Sequence, residues 1–176
     1  MNRMKNAASS LLRNGAPLAG ALAAAMIFCA AFSQSASAAD SGSREALSLA
    51  QAKHVVAIAE QKAAELGAPC AVAVVDRSGY LITLDRMDES PMLASVELAP
   101  GKARTAALFG KETHVLEDAI HNGRGAATTS GFVMMTGGVP LMIDGKEVGA
   151  IGVSSARPDW DEAIATAAAA SLAAAR

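Results

Sequence analysis

Two apolar segments meet at Asp144-Gly145. Val139-Pro140-Leu141-Met142-Ile143 precedes the pair and Val148–Ser154 follows it. Asp-Gly takes the positive φ angles of a tight turn at little cost, so the stretch doubles back as antiparallel strands. A second unit of this kind lies upstream. Cys70–Val75 is a valine-rich run, Asp76-Arg77-Ser78-Gly79 a turn, and Tyr80–Leu84 the returning strand. Two hairpins exclude an all-parallel sheet, whose neighbouring strands need long crossover connections.

The segments between the hairpins have helical spacing. Ser48-Leu49-Ala50-Gln51 forms a capping box, and the helix it opens is predicted to run to Leu66 and stop at Gly67. Leu49, Ala52, Val56, Ala59, Ala63 and Leu66 make one apolar face. Leu47, Ala50, His54 and Ile58 lie near a second side, which a neighbouring subunit or a ligand could cover. Ser90-Pro91 opens another helix, and Pro100-Gly101 is expected to interrupt it. Helical spacing resumes over Lys102–Phe109 and ends at Gly110. Thr113 is expected to cap a short helix to about Ile120. Residues 122–131 have loop composition, and Phe132–Thr136 is a candidate short strand. Pro158 starts an alanine-rich final helix. Helices alternating with hairpins predict an α+β fold: one antiparallel sheet of four to five strands flanked by helices.

The N-terminal segment has a different character. Residues 1–38 hold Arg3, Lys5 and Arg13 and no acid, then an apolar run to Phe32, then Ala36-Ser37-Ala38. A positive start, an apolar middle and an Ala-x-Ala ending make a secretory signal peptide. The apolar run is also about long enough for an uncleaved anchor, but the cleavage site argues for removal. The expected organisation is a leader over 1–38 and a single domain over 39–176, periplasmic or secreted, without stable membrane insertion after cleavage. That domain keeps only Cys70, so it cannot form an internal disulfide. The formal charge of the whole chain is −2, which points away from nucleic acid as a partner.

Recognisable catalytic motifs are missing. Gly123-Arg124-Gly125 lacks a third glycine and follows a helix, and no Gly-x-Ser-x-Gly is present. His114 and His121 would stand about 10 Å apart along one helix, too far for a shared ion. No other histidine or cysteine pair has ligand spacing, so a structural or catalytic zinc is not expected. Asp88-Glu89 and Asp159-Trp160-Asp161-Glu162 fall near helix starts, where the dipole favours them. Arg86, Lys102 and Arg104 are either solvated or salt-bridged cations, or anchors for a ligand carboxylate. Met134-Met135 is core filling or the wall of an apolar pocket. His54 interrupts an otherwise apolar flank.

Several stretches, taken in order, resemble one family. They are Gln51-Ala52, Val72–Asp76 with Gly79, Arg86-Met87-Asp88, Lys102-Ala103-Arg104-Thr105-Ala106 with Phe109-Gly110, Gly137–Leu141, and Gly149–Ser154. Together they are similar to the GlcG/HbpS-type heme-binding family, which is related to the C-terminal domain of some corrinoid adenosyltransferases. The resemblance covers nearly all of 47–172. It implies a profilin-like fold, homo-oligomers from dimer to octamer, and heme as the ligand, with a role in heme or iron handling or sensing. An envelope sensor is a separate candidate partner, suggested by the apolar second side of the first helix. The resemblance places the pocket near Lys102, Arg104 and Thr105. His54, Thr105 and the methionines, Met134 among them, are the candidate groups near iron. Two other classes stay open: an interaction module without heme, and a small-molecule enzyme of the same fold. The chain departs from the family pattern at Pro100-Gly101, at Ser155 in place of Gly, and at Trp160-Asp161 in place of Gln-Asp.

The leader generates the first test. Expressed in a Gram-negative host with an intact export system, the chain is expected to begin at Ala39, within a residue or two, by intact mass. A product that retains residues 1–38 in the membrane fraction would instead identify an anchor.

Overall fold

Asp144 and Gly145 sit at φ 51° and 72°, the left-handed values that a tight hairpin requires. The computed structural model describes residues 46–174, and the leader expected over 1–38 lies outside them. The chain runs α1 (Leu49–Leu66), β1 (Ala71–Asp76), β2 (Leu81–Arg86), α2 (Ser95–Phe109) and α3 (Thr113–His121). A 3-10 turn over Gly125–Ser130 leads to β3 (Gly138–Ile143), β4 (Lys146–Ser154) and α4 (Pro158–Ala174). The strands form one antiparallel sheet in the order β2-β1-β4-β3. Each hairpin contributes one central and one edge strand. The hairpins are joined through β1 and β4, in register from Ala71↔Ser154 to Asp76↔Gly149.

Alternation along the strands divides the core in two. Val72, Val74, Ile151 and Val153 face α1 and α4, which fill that side with residues such as Val55, Val56, Ile164 and Leu172. Ala71, Ala73, Val75 and Ala150 face α2, which answers with Ala99, Ala103, Ala106 and Ala107. The first side is a conventional branched-chain core. The second is nearly all alanine, so α2 lies close against the strands. A Cβ on Gly152 would stand 2.1 Å from the Ala99 carbonyl oxygen and 2.5 Å from the Ala103 nitrogen. A Cβ on Gly138 would stand 2.5 Å from the Lys102 carbonyl oxygen. These two glycines are the seat of the helix.

The capping box of α1 forms as expected: Ser48 Oγ accepts from the Gln51 amide at 3.2 Å, and Gln51 Oε1 accepts from the Ser48 amide at 2.9 Å. Gly67 closes the helix at φ 61°. Four expectations are corrected. Ser90-Pro91 does not open α2, which starts at Ser95 with Ala94 as its N-cap residue. Pro100 does not interrupt α2, which continues from Ser95 to Phe109. The proline removes one backbone bond at a cost of about 3 kcal/mol, but Ala99 and Ala103 pack on the sheet on either side of it and hold the helix together. Thr113 does not cap α3; Glu112 is the N-cap residue. The Thr113 hydroxyl turns to the sheet and accepts from the Gly138 amide at 2.8 Å. Phe132–Thr136 is not a strand, because Gly131 and Gly137, at φ 78° and 111°, turn the chain at each end. Glu117 Oε2 takes the Thr136 amide at 2.8 Å. On the second side of α1, Ala50 and His54 face solvent while Leu47 is buried and Ile58 packs against the core; Leu49, on the first face, is 54% exposed.

Two measurements test this packing. Gly152→Ala forces α2 off the sheet, and urea unfolding is expected to show a loss of about 1–3 kcal/mol, the range for overpacking. Cys70 is fully buried, and burial, with smaller contributions from Asp161 and Glu60, pushes its thiol up to about 12. It is therefore expected to resist iodoacetamide at pH 8 in buffer and to react promptly in denaturant.

Candidate functional site

The alanine face of α2 carries one charged residue. Lys102 is 2% exposed, and an unpaired ammonium at that depth would be strongly destabilising. Its Nζ donates to Asp161 Oδ2 at 2.6 Å and to the Val153 carbonyl at 2.9 Å. Asp161, in the first turn of α4, is buried as well. Its other oxygen, Oδ1, accepts from the amide and the hydroxyl of Ser155, each at 2.6 Å. Gly137 completes the arrangement. It lies at φ +111°, and a Cβ there would stand 2.6 Å from the Asp161 Cβ and 2.8 Å from the Val153 carbonyl oxygen. Only glycine fits, by conformation and by space. The result is a polar knot that fastens α2 to the end of β4, the approach to β3 and the start of α4.

Thr105 is also inside. It is fully buried, and its hydroxyl donates to the Gly101 carbonyl, one turn back on α2, at 2.8 Å. Arg104, between these two residues, points outward and is exposed. Its guanidinium carbon stands 5.4 Å from the centre of the Phe132 ring. That ring meets Phe109 edge-on, with centroids 5.1 Å apart and planes at 87°. Phe132 belongs to the segment after the 3-10 turn, which crosses α2 at Gly101; a Cβ there would stand 2.5 Å from Val133 Cγ2. Met134, on the same segment, is 9% exposed.

The six residues singled out from sequence are thus divided by the fold. Lys102, Arg104 and Thr105 share α2, with Met134 on the segment that crosses it. Arg86 is exposed at the end of β2, opposite Ala71 and on the α2 side of the sheet. His54 is exposed on α1, across the sheet from the rest. Lys102 and Thr105 hold the fold, whereas Arg104 is available to a ligand. A guanidinium lying over an aromatic ring can grip the carboxylate of a flat apolar molecule. Asp161, Ser155 and Gly137 were not identified as Lys102's surroundings from sequence, nor were Phe109 and Phe132 as Arg104's. One signal was present: a lysine within an alanine face that must be buried requires an anion. Nothing in the sequence ties Phe132 to Arg104, because a loop brings them together.

A family model described as "Haem degrading protein HbpS-like" matches residues 47–170. Protein GlcG of Escherichia coli K12 is 38% identical over 109 residues, covering 61% of this chain and 81% of GlcG. The crystal structure of a PduOC:heme complex superposes with a TM-score of 0.64 at 32% identity, over 71% of this chain and 94% of that one. A double mutant of Streptomyces reticuli HbpS superposes with a TM-score of 0.66 at 32% identity, over 72% of this chain and 87% of that one.

The polar knot makes its own prediction. Asp161→Asn strands the Lys102 ammonium and is expected to lower unfolding stability by about 3–5 kcal/mol. Lys102→Met combined with Asp161→Leu removes both charges and is expected to recover much of that loss in urea melts. Equal destabilisation by the single and double variants would show that Ser155 and packing, not the charge pair, dominate.

Proposed function

This chain belongs to the HbpS-like family, and on that basis we propose that it is a heme-binding protein. The observation that carries the reading is its match to a relative solved as a heme complex, over 94% of that relative's length. The outer side of α2 fits such a ligand. Arg104 is the exposed cation for a propionate, Phe109 and Phe132 offer apolar edges to a porphyrin, and Met134 lies in the same segment as Phe132. Bound heme supplies an iron centre for ligand or electron exchange. The chain's own contribution is to hold that surface in place. Lys102 and Asp161 fix the position of α2, and the Thr105 hydroxyl stays within the helix. His54 lies on the other face of the sheet and would act only at a separate site.

The wider reading is an exported homo-oligomer that handles or senses heme or iron, with an envelope sensor as partner. The N-terminal leader pattern supports export. Among the described residues no helix is long and apolar enough to cross a membrane. Exposed apolar side chains support association: Leu93 is 82% exposed, Tyr80 74% and Leu81 54%. The same exposure favours a second reading, an interaction module without heme.

Heme titration of the purified chain, followed by absorbance, separates the two. A saturable Soret shift at micromolar heme is expected. Arg104→Ala and Phe132→Ala should each weaken it by about tenfold, the value of one charge-assisted or stacking contact. His54→Ala should leave it unchanged. A linear rise without saturation would overturn the heme reading and leave the interaction module.

A further inference from the structure

Beside the knot, a histidine nitrogen is shared by two carboxylates. Glu112 is the N-cap residue of α3, yet its side chain makes no capping bond. Instead its Oε2 lies 3.2 Å from His114 Nδ1. Glu162, in the first turns of α4, brings its Oε1 to 2.9 Å from the same nitrogen. One donor atom from each residue falls within 4.8 Å of the others. Sequence spacing could not show this group, because Glu162 comes from another helix.

The hydrogen bonding is incomplete as it stands. Nδ1 carries at most one hydrogen, and two anionic oxygens approach it. The second oxygen of Glu162, Oε2, is buried with no hydrogen-bond partner. Two carboxylates around one imidazole leave net negative charge on half-buried groups, with side-chain exposures of 43%, 38% and 26% for Glu112, His114 and Glu162. A divalent cation answers both problems. It displaces the single hydrogen and accepts a lone pair from each group. Metal–nitrogen and metal–oxygen bonds of about 2.1 Å put tetrahedral ligand atoms about 3.4 Å apart, close to the two histidine–carboxylate separations already present.

We propose that Glu112, His114 and Glu162 form a binding site for a divalent first-row transition metal, with zinc as the reference ion. One imidazole and two carboxylates suit zinc or cobalt better than calcium, which takes oxygen ligands only. Three protein donors leave a further position for water. The ion would join the start of α3 to the start of α4, two helices that the sheet and the knot otherwise hold independently. The site does not depend on heme, and none of its residues belongs to the surface assigned to heme above.

The test uses the purified, untagged, metal-stripped chain without heme. Co²⁺ is titrated as the spectroscopic probe, and Zn²⁺ is then added as competitor. One equivalent of Co²⁺ is expected to bind with visible absorption bands of a four- or five-coordinate ion, and Zn²⁺ should abolish them. His114→Ala, Glu162→Gln and Glu112→Gln should each weaken binding at least about tenfold. His121→Ala, on the same helix, should not. Far-UV circular dichroism confirms that each variant is folded; if His114→Ala is not, the two isosteric glutamine variants decide. The proposal is overturned if no saturable Co²⁺ binding occurs, or if the folded variants bind as the parent does.

Discussion

An ammonium and a carboxylate removed from water between α2 and α4 set the terms for the rest of this fold. Neither can be buried alone, so Lys102 and Asp161 have to arrive together. Their requirements then spread outward. Asp161 needs donors for its second oxygen, and Ser155 supplies both its amide and its hydroxyl. Lys102 needs a second acceptor, and the Val153 carbonyl at the end of β4 provides it. The chain entering β3 has to pass beside all of these, which only a glycine at position 137 allows. A pair of this kind adds little net stability over an apolar substitute, but it permits a single arrangement of its neighbours.

The alanine interface has the same character. A branched core can absorb a small error by shifting rotamers. The α2 side has few rotamers to shift: its alanines meet strand backbone and two glycines. The position of α2 is therefore fixed from the strands by Gly152 and Gly138 and, beside them at the same end of the sheet, by the knot. Arg104 inherits that precision. It projects from a helix clamped on its inner face, while its ring partners Phe109 and Phe132 come from the end of the same helix and from the segment that crosses it.

How far the sequence could be read depended on the range of each interaction. The hairpins, the capping box of α1 and its glycine stop are local, and each was visible in a few adjacent residues. The continuation of α2 through Pro100 was not, because the local penalty is outweighed by alanine packing on strands far away in sequence. Thr113 looked like a cap by its chemistry, yet Gly138 takes its hydroxyl across the fold. The site shows the same division. Lys102, Arg104 and Thr105 were marked by their place in one helix, but their roles depend on which side of it each faces. Lys102 and Thr105 face inward and Arg104 outward, and the partners that decide this, Asp161 and Phe132, lie on segments that nothing local ties to α2. His54 stood out only against its own helix, and the sheet separates it from the others.

The order of the strands has a consequence for the time at which this structure can exist. Each hairpin is local, but the central ladder joins β1 to β4, and all of α2 and α3 lie between them in the chain. Loop closure over that distance has to precede any reward from the ladder, which makes it a late and slow step. Until β4 and α4 are available, β1 has one bare edge, the first core lacks Ile151, Ile164 and Leu172, and Lys102 has no counterion. A chain emerging from its N-terminus therefore has no stable intermediate to stop at. It holds two hairpins at most, then closes both cores and the ion pair in one cooperative event after its final helix is free.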